Sequence, residues 1–108
     1  MIPASLRLTK KDFETLRTRV IYKGDIFDVA KKEEASFKIA CVIPKKRVAK
    51  ATSRNAIRRK VLHAVAQHIK NKQPQGFFVI YPKNEIQQAS YQKIEEEISK
   101  VFATLYSI

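Results

Sequence analysis

Residues 45–60 carry eight cations, Lys45, Lys46, Arg47, Lys50, Arg54, Arg58, Arg59 and Lys60, and no carboxylate. Arg54 and Arg58 stand four apart, the spacing that aims two guanidiniums at one volume on a helix, and their planar forks match phosphate oxygens. Backbone N–H groups of a first helical turn, a Thr52 or Ser53 hydroxyl and the Asn55 amide donate toward the same volume. Anion binding is therefore the chemistry these residues can do, and a run this long suits a nucleic-acid backbone. A membrane surface and a merely solvated face are the competing readings.

The distribution of charge weighs against the solvated face. Residues 35–84 hold 12 basic and no acidic side chains, while the flanking segments hold ten of each sign, so the whole net charge of +12 sits in the middle of the chain. A surface charged for solubility mixes both signs. Unmixed cations repel one another and cost stability unless a polyanion is the usual partner. Helix-turn-helix readout of DNA fits poorly, because both neighbours of the cationic segment read as strands.

No catalytic constellation is visible. A metal-dependent nuclease needs carboxylates to hold magnesium; Asp25 and Asp28 are the nearest candidates, and two acids in an irregular strand are ordinarily solvated. His63 and His68 lie five apart, so on a helix they diverge by about 140° and cannot flank one phosphate. The single cysteine, Cys41, sits in an apolar run and reads as a buried, reduced thiol. The chain is expected to bind no cofactor of its own and to leave any bond breaking to another molecule.

A small set of elements must position the cations. Thr9-Lys10-Lys11-Asp12 has capping-box form, with Asp12 in the place usual for Glu or Gln, and predicts a helix over residues 10–19 with a narrow stripe of Phe13, Leu16 and Val20. Residues 22–30 read as an irregular strand and 31–36 as a polar turn. Residues 37–43 alternate Phe37, Ile39, Cys41 and Ile43 with Lys38, Ala40 and Val42, a strand with one buried face, ended by Pro44.

From a cap at Thr52 or Ser53, Ile57, Val61, Val65 and Ile69 recur every four residues to about position 70. At about 100° per residue, Arg54 and Arg58 fall within the angular range of that stripe, so the first two turns are expected to project beyond the sheet edge. Residues 71–76 break the helix, and 77–81 form an apolar strand closed by Pro82. Ser90 opens a last helix running to the C-terminus, with Tyr91, Ile94, Ile98, Val101, Phe102 and Leu105 inward and Glu95, Glu96 and Glu97 on the wet face.

The order helix, strand, strand, helix, strand, helix predicts an α+β, or α-β, sandwich, with helices packed on one sheet as a single RNA-binding domain over residues 1–108. No apolar run reaches the roughly 20 residues of a membrane span, and residues 1–11 lack a secretory h-region, so a cytoplasmic protein with no membrane partner is expected. Phe37, Phe77, Tyr91 and Phe102 read as core. Phe13 and Phe78 are the aromatics that could stack on an unpaired base.

The stretch Lys46-Arg47-Val48-Ala49-Lys50-Ala51-Thr52-Ser53-Arg54-Asn55-Ala56-Ile57-Arg58-Arg59 resembles the signature of the bacterial ribonuclease P protein subunit, Lys-Lys-x-Gly-x-Ala-x-x-Arg-Asn-Arg-x-Lys-Arg. Arg7-Leu-Thr-Lys-Lys-Asp-Phe13 is similar to that family's opening helix, and the element order agrees over residues 6–105. Ala49 replaces the usual Gly, Ala56 the second Arg of Arg-Asn-Arg, and Arg17 stands where an aromatic is common.

The resemblance implies a ribosomal-protein-S5-domain-2-like fold, a small mixed sheet with a left-handed βαβ crossover. It implies the protein component of ribonuclease P, monomeric in a 1:1 complex with the RNA subunit, which holds the catalytic Mg2+ and cuts the 5′ leader from precursor tRNA. By the same carry-over, Lys46, Arg47, Lys50, Arg54, Asn55, Arg58 and Arg59 contact the RNA subunit. Phe13, with Phe78 and Lys38, contacts the leader. A non-enzymatic RNA-binding protein or RNA chaperone on the same scaffold is the alternative.

Overall fold

Four strands, β1 (Arg19–Lys23), β2 (Phe27–Lys32), β3 (Phe37–Cys41) and β4 (Gly76–Pro82), make one mixed sheet in the order β1-β2-β4-β3. The pairings of β1 with β2 and of β2 with β4 are antiparallel, and β3 runs parallel to β4. A parallel pair needs a crossover, and α2 (Ala51–His68) supplies it. The remaining helices are α1 (Lys10–Glu14) and α3 (Tyr91–Tyr106). The computed structural model describes residues 2–70 and 72–106; Asn71 of the expected helix break and Ser107 and Ile108, to which the last helix is expected to run, lie outside it, as does Met1.

One sheet face is covered by α2 and α3. Val29, Ile39, Phe78 and Ile80 meet Ile98, Val101, Phe102 and Leu105 of α3, while Ile57, Val61, Ala64 and Val65 form the buried stripe of α2. The four-residue recurrence read from the sequence is thus the packing stripe itself.

Several boundaries differ from the sequence expectation. The capping box forms, Thr9 Oγ1 accepting from the Asp12 amide at 3.2 Å and Asp12 Oδ2 from the Thr9 amide at 2.8 Å, but the helix stops at Glu14 instead of 19. A helix this short is held by tertiary contacts, and the stripe it could bury is too thin to extend it against β-branched Thr15 and Thr18. The single irregular strand expected over 22–30 is a hairpin: the Gly24 amide donates to the Phe27 carbonyl at 2.9 Å, and β1 turns back into β2. Two 3-10 turns, Ala4–Leu6 and Asn84–Gln88, are additional. Ahead of α1, the Leu8 amide donates to the Ile39 carbonyl at 3.0 Å, so the N-terminal segment lies along the free edge of β3.

Glu97 contradicts its assignment to the wet face of the last helix, being only 3% exposed. Its Oε1 accepts the Tyr22 hydroxyl at 2.7 Å, and its Oε2 meets Lys100 Nζ at 2.9 Å and Lys93 Nζ at 3.6 Å. A Cβ at Gly24 would lie 2.7 Å from the Tyr22 ring and 3.0 Å from Glu97 Oε1, so the hairpin corner has room only for glycine. The Tyr22 hydroxyl, then Lys100 and Lys93, hold the Glu97 carboxyl below its ordinary range. Burial and the carboxylate push the Tyr22 phenol up to about 12.

A depressed folded-state value means that the unfolded chain takes up this proton more readily, so the network stabilises the fold above the free carboxyl pKa of about 4.3 and loses its contribution as pH falls through the folded value. Glu97→Gln should lower stability at neutral pH by about 1 to 2 kcal/mol, several degrees in Tm. It should also flatten the acid limb of stability against pH. Thermal melts across the acid range check this, and an unaltered acid limb would clear Glu97 of the titration.

Candidate nucleic-acid interface

The segment between β3 and α2 is built to hold still while its lysines stay wet. Amides of Arg47 and Val48 donate to the Pro44 carbonyl at 3.0 and 3.2 Å, closing a turn, and Val48 is buried as its anchor. Arg47 Nη1 donates to the Pro82 carbonyl at 3.1 Å, fastening the turn to the end of β4. Arg54 Nη1 reaches back to the carbonyls of Val48 and Ala49 at 2.9 and 2.7 Å. Arg58 Nε donates to the Cys41 carbonyl at 3.2 Å, and its Nη1 to Asn55 Oδ1 at 2.9 Å. Ala49 needs no glycine, since no non-glycine residue among those described has positive φ.

The arginines within the apolar stripe therefore avoid unpaired burial by bonding backbone carbonyls, with Arg47, Arg54 and Arg58 only half-exposed. Carbonyl bonds satisfy N–H donors without cancelling charge, and each guanidinium carries five of them. The Nη2 groups of Arg54 and Arg58 remain for an outside acceptor. Lys45, Lys46, Lys50, Arg59 and Lys60 are exposed, as is Asn55. Among the described residues, no cation from 45 to 60 is ion-paired to a carboxylate.

The helix begins earlier than expected. Its N-cap is Lys50, without a capping side chain, and Thr52 and Ser53 lie inside the first turn, which holds no acid. The first-turn amides and the positive end of the dipole are thus grouped with cations that the dipole itself disfavours. A bound phosphate reverses that sign.

The sheet face opposite α2 and α3 offers a second surface, with Ala30 and Val79 buried beneath its longer side chains. Register places Lys38, Phe77 and Lys32 in one row and Ala40, Val79 and Ala30 in the next, with Val20 beyond. The ammoniums of Lys38 and Lys32 lie 5.5 and 5.9 Å from the Phe77 ring centre, within cation–π range. Lys38 Nζ also stands 3.4 Å from Asp12 Oδ2, which draws α1 to this face. Phe13 on α1 and Val20 on β1 are exposed apolar side chains.

Phe78, expected as a stacking surface, is instead core: it is 3% exposed and lies 5.7 Å from the Phe37 ring. Phe77, expected as core, is half-exposed on the lysine face. An all-apolar strand gives no parity of its own, so the pairing of Phe77 with Lys38 and Lys32 decides which ring faces out. That pairing is the signal that sequence reasoning lacked.

The candidate catalytic groups stand apart. His68 Nε2 lies 3.1 Å from Ser99 Oγ, and its ring stacks on Phe102 at 5.1 Å, whereas His63 is exposed on another side of α2. Asp28 pairs with Lys83 at 3.4 Å. Burial pushes the Cys41 thiol up to about 12, so it is not a nucleophile. No group of three His, Cys, Asp or Glu among the described residues could hold a metal ion.

A mixed sheet with two packed helices on one face, and unpaired cations fixed at the head of the crossover helix, defines a basic α+β RNA-binding protein. The family model for Ribonuclease P matches residues 3–106, and the chain belongs to that family. It is accordingly a protein component of ribonuclease P, working with ribonuclease P RNA and precursor tRNA in tRNA processing.

Solved structures agree on the fold. The chain is similar to the RNase P protein of Staphylococcus aureus, with 15% identity, 94% of this chain and 95% of that one covered and a TM-score of 0.75. A mutant of that Staphylococcus aureus protein, with defective mRNA degradation activity, gives 16%, 93%, 87% and 0.77 on the same measures. The RNase P protein from Thermotoga maritima gives 20%, 94%, 96% and 0.69. No curated protein sequence matches. No helix among the described residues is long and apolar enough to cross a membrane.

Proposed function

We propose that this chain grips ribonuclease P RNA through the turn at residues 44–50 and the first turns of α2, and holds the single-stranded 5′ leader of precursor tRNA on the open sheet face. The observation that carries the reading is the set of exposed cations without a carboxylate partner, held on a braced turn. Lys46, Lys50 and Arg59 are the direct RNA contacts. Arg54, Asn55 and Arg58 contribute remaining donors while bracing the turn, and Arg47 acts mainly as a brace.

On the leader side, Phe77 replaces Phe78, between Lys38 and Lys32, with Phe13 exposed on α1. Phenyl rings flanked by ammoniums suit unpaired bases with their phosphates. Hydrolysis of the phosphodiester joining leader to tRNA is assigned in this reading to the RNA subunit and its Mg2+. The protein's part is to neutralise repulsion between two polyanions, which lowers the magnesium needed and favours precursor over mature tRNA. It acts as a cytoplasmic monomer in a 1:1 complex.

Incubating precursor tRNA and magnesium with the protein, its catalytic RNA, or both tests this. Protein should do nothing alone and should stimulate the RNA most at low magnesium. Leader removal by protein alone would overturn the division of labour, and no stimulation would make the chain a non-enzymatic RNA binder.

A further inference from the structure

The exposed flank of α2 one to three turns beyond the cation-rich head carries features that phosphate neutralisation does not require. Arg7 folds back on the Ile2 carbonyl, Nε at 3.0 Å and Nη2 at 2.9 Å, and so stands the N-terminal segment against the helix. Between them lies an open hollow of about 470 Å³ with Ile2 and Leu62 as its apolar lining and Asn55, Arg58, Arg59 and His63 around it. On the far side of the Arg59–His63 ridge a second hollow, of about 410 Å³, is lined by Lys60 and Tyr91 with the same two residues. The His63 ring lies 5.8 Å from that of Tyr91. Gln67 Nε2 sits 3.5 Å from His63 Nε2, one turn on. Glu95 stands at the Tyr91 hydroxyl.

We infer that this ridge is a seat for an unpaired nucleotide of the RNA subunit, its base against His63 and the neighbouring apolar lining and its phosphate on Arg58 and Arg59. The inference rests on the RNA-subunit reading above and specifies it: the RNA at this point is single-stranded. The charge is complementary at the first hollow, whose lining residues are cationic, neutral polar or apolar; Glu95 stands only at the Tyr91 edge of the second. The shape is right as well. A regular duplex exposes backbone and no free base face, so it would use the guanidiniums and leave the apolar lining and the ring pair empty. An unstacked base in the first hollow meets the His63 ring, the Ile2 and Leu62 lining and the guanidiniums of Arg58 and Arg59 together, because aromatic rings and guanidinium planes are what such bases stack on. The hollows also fall in the size range of small-ligand sites, about 300 to 1,000 Å³.

The test uses the full chain. His63 is exposed, so His63→Ala should keep the wild-type melting temperature, and at pH 8 it should bind ribonuclease P RNA about 10-fold more weakly with an unchanged salt slope, as loss of stacking without loss of charge requires. The chain has no tryptophan, so His63→Trp supplies a local reporter. Its affinity for the RNA should match or exceed wild type, and its fluorescence should be quenched by single-stranded oligoadenylate but not by inorganic phosphate or an RNA duplex of equal length. Wild-type affinity in His63→Ala, a salt slope reduced by a full phosphate, or equal quenching by phosphate or duplex would each overturn the seat. Failure of the underlying reading looks different: the wild-type protein itself would then not bind or stimulate the RNA.

Discussion

Replacing Lys46, Lys50 and Arg59 together by alanine should weaken binding to ribonuclease P RNA about a thousandfold without lowering the melting temperature, which relief of cation repulsion should raise slightly. All three are exposed, and among the described residues none of their side chains is ion-paired or hydrogen-bonded, so the fold loses no contact with them. A hydrogen bond to a charged group contributes about 1.5 kcal/mol or more, close to tenfold in affinity for each residue. The salt dependence should flatten in step, by up to about 0.9 in log-log slope per phosphate released and so about 2.7 for the triple variant. Binding measured over a salt series reads both quantities. Arg54→Ala provides the contrast: its Nη1 holds the Val48 and Ala49 carbonyls, so it should lower stability as well as affinity. If the triple variant kept the wild-type slope, the contact surface would lie elsewhere.

The second large effect separates two adjacent phenylalanines. Phe78→Ala empties a place lined by Val29, Ile39, Ile98 and Phe102, and a core Phe→Ala change costs about 3 to 5 kcal/mol. Against a total of about 5 to 15 kcal/mol for a domain, that is enough to unfold a large share of the molecules at physiological temperature. Phe77→Ala removes a partly buried ring from between Lys38 and Lys32, so stability should fall by clearly less than at Phe78. Affinity for leader-bearing tRNA should fall about tenfold, with mature tRNA unaffected. Melting curves and paired affinities for precursor and mature tRNA decide it. A severe stability loss at Phe77 with a leader-specific loss at Phe78 would reverse the face assignment.

The two surfaces reach the RNA by different physical routes. At the crossover helix, rigidity is supplied by arginines bound to carbonyls of their own chain, and charge is left uncancelled because no carboxylate is near. On the sheet, lysines are partly neutralised, Lys38 by Asp12 and Lys32 by Glu34 at 2.9 Å, and the partly exposed ring between them carries more of the recognition. The first surface should therefore respond strongly to salt and the second to base stacking.

Some of this was determined by sequence alone. Charge counts are additive, so 22 basic against 10 acidic side chains leave cations without a carboxylate however the chain folds, although acids from the flanks do reach Lys38 and Lys83. Helical and strand periodicities are local, so the stripe of Ile57, Val61 and Val65, the alternation of residues 37–41 and the Thr9–Asp12 capping box appear where their spacing puts them. Tertiary structure decided what depends on neighbours distant in the chain. Which of Phe77 and Phe78 faces out depends on the parallel register with Lys38, because a strand apolar on both faces has no inherent direction. Glu97 is buried because Tyr22, 75 residues away, brings it a hydroxyl, and a charge can leave water only where such partners converge. The same holds for Arg47, Arg54 and Arg58, whose roles as braces were set by carbonyls that only the folded chain brings within reach.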